Sequence, residues 1–106
     1  MNLKSASDLA NRLLKENGLD DWSFKFSNAK KAFGTCDHKA KTIVLSPYLT
    51  ALNPEEYILD TILHEIAHAL VGFRKAHGYE WRACCMRIGC KPEACYDYSV
   101  KTLTNL

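Results

Sequence analysis

Tyr57-Ile58-Leu59-Asp60-Thr61-Ile62-Leu63-His64-Glu65-Ile66-Ala67-His68-Ala69-Leu70-Val71 is the stretch from which the rest of the chain is read. Its apolar residues recur at helical spacing. Asn53-Pro54-Glu55-Glu56 in front of it is a start signal, with Asn as cap, Pro at the first helical position and acids in the first turn. Gly72 is a stop signal behind it. The predicted helix runs to about Val71 and buries Ile58, Ile62, Leu63, Ile66, Ala69 and Leu70. Inside it lies the H-E-x-x-H pattern of His64, Glu65 and His68. Residues four apart share a helix face, so both imidazoles are able to aim at one metal ion, with Glu65 beside them and outside the ligand set. Three such polar groups on an apolar stripe are costly to bury unless hydrogen-bonded or metal-bound.

That pattern points to the active-site helix of a zinc-dependent peptidase, where three protein ligands leave a fourth position on the ion. His64 and His68 supply two ligands, and the third has two candidates. In metzincins it lies six residues after the second His, with Gly three residues before it, but those positions hold Arg74 and Val71. Glu80, on a later helix, is one remaining choice. His77 is favoured, because Gly72 lets the chain turn and Gly78 lets the backbone pass close to the metal. One Zn2+ per chain is expected, with Glu65 as the general base. Tyr48, Tyr79, Tyr96, Tyr98 and Arg74 are all chemically able to stabilise an oxyanion. Asp60, one turn before His64, is placed to orient that imidazole. His38 reads as a solvated turn residue and Trp81 as packing beneath the metal loop.

Upstream, residues 5 to 17 read as a helix capped by Ser5 or Ser7, with Leu9, Leu13 and Leu14 at helical spacing and Gly18 as its stop. Trp22 to Ser27 alternates as a strand, placing Trp22, Phe24 and Phe26 on one face. A turn over Asn28 to Lys31 leads to a strand over Ala32 to Cys36, with Cys36 in the core. A second turn over Asp37 to Lys41 leads to a strand over Thr42 to Ser46. Short connections favour an antiparallel meander of these three strands. Pro47 to Leu52 reads as a linker with room for a short turn of helix. After the bend at His77-Gly78, Tyr79 to Ile88 forms a further helix stopped by Gly89. The tail from Lys91 to Leu106 carries few signals.

With 106 residues, 47% of them hydrophobic and 25% charged, the chain fits one α+β domain spanning residues 1–106. No apolar stretch is long enough to span a membrane, and the N-terminus lacks the apolar region of a signal peptide. Five cysteines without an export signal suit a reducing cytoplasm. Cys84, Cys85, Cys90 and Cys95 read as packed thiols rather than a second zinc site. A net charge of +2 does not by itself announce a nucleic-acid partner. Lys25, Lys30, Lys31, Lys39 and Lys41, set against Asp37 alone, make the sheet region basic, which suits strand-edge solubility and also DNA contact.

Three segments, His64-Glu65-Ile66-Ala67-His68-Ala69, His77-Gly78-Tyr79-Glu80-Trp81 and Met86-Arg87-Ile88-Gly89, resemble the SprT-like (Spartan-type) zinc metallopeptidases. Phe33-Gly34-Thr35, Thr42-Ile43-Val44-Leu45-Ser46 and Thr61-Ile62-Leu63 extend the likeness to roughly residues 5–95. The resemblance implies a minimal zincin: N-terminal helix, three-stranded antiparallel sheet, active-site helix and closing helix. It implies His64, His68 and His77 as zinc ligands and Glu65 as catalytic acid/base. It further implies a protease acting on DNA-associated or DNA-crosslinked proteins; a monomer is expected. Many members carry a zinc ribbon with C-x-x-C pairs after the core, and this chain is expected to be a minimal form without one. The alternative function is a zinc-stabilised DNA- or protein-binding module with little or no turnover.

Overall fold

The computed structural model describes residues 1–27, 33–72 and 77–92. Helix α1 (Leu3–Glu16) is followed by strands β1 (Ser23–Phe26), β2 (Gly34–Asp37) and β3 (Thr42–Leu45). Helices α2 (Pro47–Leu52), α3 (Glu55–Val71) and α4 (Tyr79–Ile88) complete an α+β arrangement. The expected turn over Asn28 to Lys31, the start of the second strand at Ala32, and Arg74, Cys95, Tyr96 and Tyr98 lie outside the described residues, as does residue 93 onward.

The expected antiparallel meander is corrected. The sheet order is β1-β3-β2, with β2 antiparallel and β1 parallel to β3. β2 and β3 form the expected hairpin around the turn in which Asp37 Oδ1 accepts from the Ala40 amide at 3.0 Å. β3 lies in the middle of the sheet. The physical reason is in β3 itself. Thr42, Ile43, Val44 and Leu45 are all buried, whereas β1 and β2 alternate between more and less exposed positions. A strand covered on both faces and both edges loses least exposed apolar surface at the centre of the sheet. Ser27 N–H to Leu45 O and Ser46 N–H to Phe33 O, both 3.0 Å, extend the two ladders.

Helix α1 begins two residues before the expected start. Asn2 Oδ1, not Ser5 or Ser7, caps it by accepting from the Ser5 amide at 3.1 Å. It buries Ala6, Ala10 and Leu14, spaced four apart, while Leu9 and Leu13 are partly covered. The expected linker is helix α2. Its hydroxyl cap Ser46 accepts from the Leu49 amide, and Asn53 closes it by donating Nδ2 to Leu49 O at 2.9 Å. Asn53 is therefore spent on α2, and Pro54 occupies the cap position of α3 without a side-chain hydrogen bond. Glu55 and Glu56 in the first turn of α3 complement its dipole.

Helix α3 packs against α1, α4, β2 and β3. Its buried side is Ile58, Thr61, Ile62, Leu63, His64, Glu65, Ile66 and Ala67. Ala69 is only partly covered and Leu70 is exposed, which corrects the sequence reading at the C-terminal end. Gly34 sets how closely β2 approaches this helix. A Cβ there would stand 2.8 Å from Leu45 Cδ2, 3.2 Å from Thr61 Cγ2 and 3.3 Å from Val44 O. The missing side chain lets β2 lie against the face of α3 that carries Thr61 and, one turn later, Glu65. Helix α4 has the expected bounds, and Gly89 ends it in a left-handed conformation with φ of 97°. Among the described residues no helix is long and apolar enough to cross a membrane.

Candidate functional site

The site is built on α3, α4 and the residue pair that precedes α4. Trp81 is its platform. This indole is 1% exposed and donates Nε1–H to His64 O at 3.2 Å, which fixes α4 against α3. Three imidazoles surround it. His68 stacks on it at 5.1 Å with the planes 21° apart, while His77 at 4.8 Å and His64 at 5.4 Å meet it edge-on. The H-G-x-E-W spacing was the sequence signal for Trp81; its contact with all three rings was not legible there.

His68 and His77 converge, with their Nε2 atoms 3.1 Å apart. Two nitrogens bound to one tetrahedral zinc at ordinary lengths stand about 3.4 Å apart, so this pair suits a shared ion. Burial, reinforced by the charges of His77, His38 and His64, lowers the His68 imidazole to about 4. A neutral ring is what metal ligation requires. His77 reaches the pair through a left-handed backbone, with φ of 54°. Gly72 does turn the chain, at φ of 90°. Gly78 is extended at φ −83°, so the uncommon conformation falls on the imidazole-bearing residue and not on the glycine after it.

His64 faces elsewhere. Its Nε2 lies 2.6 Å from Lys91 O and 3.2 Å from Asp60 Oδ2, and it must carry the hydrogen because both partners are acceptors. Asp60 thus contacts His64 as its position one turn earlier suggested. Among the described residues no three His, Cys, Asp or Glu side chains gather closely enough to hold one ion. The donor chemistry of His68 and His77 fits zinc, whereas His64 Nε2 is engaged with Lys91 O and Asp60.

Glu65 is 8% exposed, and burial pushes its carboxyl up to about 7. Beside it, Cys36 on β2 is half-buried, and burial together with the Glu65 and Asp37 carboxylates pushes its thiol up to about 12. Cys36 also lines an open groove of about 750 Å³ with Thr35, Asp37, His38 and Lys39. His38 is not simply solvated: it is half-buried and meets the Trp22 ring edge-on at 5.9 Å. Glu80 is exposed in the first turn of α4. Of the oxyanion candidates within the described residues, Tyr48 is 42% and Tyr79 85% exposed. Cys84, Cys85 and Cys90 are buried free thiols of the core. Lys25, Lys39 and Lys41 are exposed, but Lys41 is paired with Asp21 at 2.6 Å, a carboxylate the sequence reading left out.

The raised Glu65 value has a sign that can be tested. A folded value above the ordinary 4.5 favours the folded state fully while the group is protonated in both states, and that advantage is lost as pH rises through about 7. His68 works the other way, because its lowered value costs stability as pH falls from 6.5 towards about 4. Comparing metal-free wild type with Glu65→Gln cancels the His68 contribution. In urea unfolding, wild type is expected to lose stability relative to the variant between pH 4.5 and 8. A difference that stays constant over that range would show that burial does not hold Glu65 protonated.

A family model matches this arrangement over residues 3–102: the SprT-like family. The chain belongs to the SprT-like family. The comparison with curated proteins gives no match. Among solved structures, the crystal structure of the metallopeptidase zymogen of Methanocaldococcus jannaschii jannalysin is similar, with a TM-score of 0.69 and 22% sequence identity. The match covers 83% of this chain and 85% of that one, and it shows the SprT-like chain to share that metallopeptidase's fold. Membership of the SprT-like family supports a metallopeptidase-type function for this site.

Proposed function

We propose that this chain is a zinc-dependent endopeptidase, a single domain over residues 1–106 that works as a cytoplasmic monomer. One zinc ion is held by His64, His68 and His77, and Glu65 is the catalytic residue. The observation that carries this reading is a pair of imidazoles, His68 and His77, whose Nε2 atoms stand 3.1 Å apart, with a buried carboxyl, Glu65, on the same helix as His68 and raised by burial. When bound, zinc supplies Lewis-acid polarisation of the scissile carbonyl and acidifies a water.

The chain's own residues do the rest. Glu65 takes the proton of the attacking water and passes it to the leaving amine, a task for which a value near neutrality is well matched. Burial keeps its carboxyl from being spent on solvent. β2 lies at the edge of the sheet, and the groove along Thr35 to Lys39 runs beside Cys36, the neighbour of Glu65. An extended substrate segment would pair with the backbone of that edge, which presents peptide bonds in a fixed direction.

The substrates we propose are DNA-associated or DNA-crosslinked proteins. Exposed Lys25 on β1 and Lys39 in the turn between β2 and β3 support this, as does the family. The deciding assay is cleavage of a DNA-binding protein by zinc-loaded and chelated protein, with and without single-stranded DNA. Cleavage by the zinc form alone, faster with DNA, is the expected result. One zinc per chain with no cleavage in any condition would favour a zinc-stabilised binding module instead.

A further inference from the structure

The hydrogen-bond pattern of β2 decides what its outer edge can hold. Ser46 N–H donates to Phe33 O at 3.0 Å, and bonded pairs alternate along an antiparallel ladder. Thr35 and Asp37 therefore bond to β3, whereas Gly34 and Cys36 turn their N–H and C=O to the outer edge. Gly34 marks the face that meets α3, since a Cβ there would stand 3.2 Å from Thr61 Cγ2. Side chains two apart share a face, so Cys36 points the same way, beside Glu65 on the next turn of α3. His38 follows, half-buried and edge-on to Trp22 at 5.9 Å, and its charge is felt at His68. Cys36 and His38 line the groove of about 750 Å³, a size usual for ligand sites.

We infer that this groove is a subsite selecting a large apolar side chain, an aromatic one best, on an extended substrate, with Cys36 as floor and His38 as end wall. The occupant rests on the peptidase reading above; the selectivity rests on what lines the groove. A residue bonded to the outer edge opposite Cys36 places its side chain on the Cys36 face. There it meets a thiol that burial keeps protonated and the Trp22–His38 ring pair. Sulfur and ring edges both favour aromatic neighbours. Asp37 and Lys39 also line the groove, exposed and opposite in charge, so together they give no preference for a charged residue.

Two short strand-forming peptides, alike but for a central Phe or Ala, test the subsite by binding alone. Chelated, nitrogen-labelled wild type is titrated with each and followed by NMR. The Phe peptide is expected to move the Gly34, Cys36 and His38 amide signals saturably and to bind about tenfold more tightly, as burial of a benzyl group predicts. Equal affinity, no saturable shift, or shifts only elsewhere overturns the subsite. His38→Ala should weaken the Phe peptide about fivefold and leave the Ala peptide unchanged, a difference that loss of fold would not produce. Equal weakening of both peptides removes His38 as the wall. A peptide carrying benzoylphenylalanine at the central position needs no variant: on irradiation it should label residues 34–39, and labelling confined to other segments overturns the subsite. The zinc-loaded protein then separates the two claims. Cleavage of both peptides without selectivity keeps the peptidase reading and overturns the subsite. Selective binding with no cleavage of either supports the subsite and counts against the peptidase.

Discussion

Glu65→Gln is expected to keep one zinc per chain and to lose proteolysis by about 10²–10⁴-fold, the range that a positioned acid/base contributes. The substitution preserves shape and hydrogen-bonding reach while removing the group that accepts a proton. At 8% exposure, Glu65 has little room for a differently shaped side chain, so Gln is the change that tests chemistry and not packing. It also removes the unfavourable burial of a charge, and the variant is expected to fold at least as stably as wild type above pH 7. Metal content measured alongside single-turnover cleavage checks both halves. Cleavage within a few-fold of wild type would remove Glu65 from the chemistry. Loss of zinc together with activity would make it a ligand.

Trp81→Ala should do the most damage to the fold. Removing a fully buried indole costs about 3–5 kcal/mol. Small domains are stable by only about 5–15 kcal/mol, so this one change takes a large share. It also removes the surface on which His68 stacks and against which His64 and His77 stand edge-on, and the hydrogen bond that ties α4 to His64 O. Zinc affinity should therefore fall with stability. Trp81→Phe separates the two roles. It keeps an aromatic platform but loses the Nε1–H hydrogen bond and part of the buried ring, and should cost less than the alanine change, about 1–3 kcal/mol, with zinc binding largely kept. Urea unfolding of the metal-free forms and zinc competition titrations read the two effects apart. Near-wild-type zinc affinity in a folded Trp81→Ala protein would show that the imidazoles do not depend on the indole.

What could be read from the sequence was local. α4 ran from Tyr79 to Ile88 as expected because Gly89 is a left-handed cap with few alternatives. α3 was legible from its acids, its apolar period and Gly72. Its cap was not, since Asn53 had a competing use at the end of α2. The cap of α1 was equally ambiguous, with Asn2, Ser5 and Ser7 all chemically suited. Strand order failed for a different reason. Turn lengths speak only for neighbours in sequence, and the parallel pairing of β1 with β3 is long-range. The informative sign was Thr42-Ile43-Val44-Leu45, a run without alternation, which marks a strand covered on both faces.

The same division runs through the site. The spacing of His64, Glu65 and His68 was visible because a helix turns spacing into direction. The meeting of His68 with His77 rests on a left-handed residue at 77, and Gly78, the residue whose freedom the spacing points to, is extended. Lys91 was invisible as a partner of His64, because the contact is made by backbone atoms that every residue carries.

Because β3 has a hairpin partner on one side and a parallel neighbour on the other, the sheet has a natural order of assembly. β2 and β3 are joined by a tight turn and pair on the timescale of hairpins, about 1–10 μs. β1, with α1 packed on it, must close a longer loop before its first hydrogen bond forms. Until it does, one edge of the most apolar strand lies open to any other strand of the same sequence.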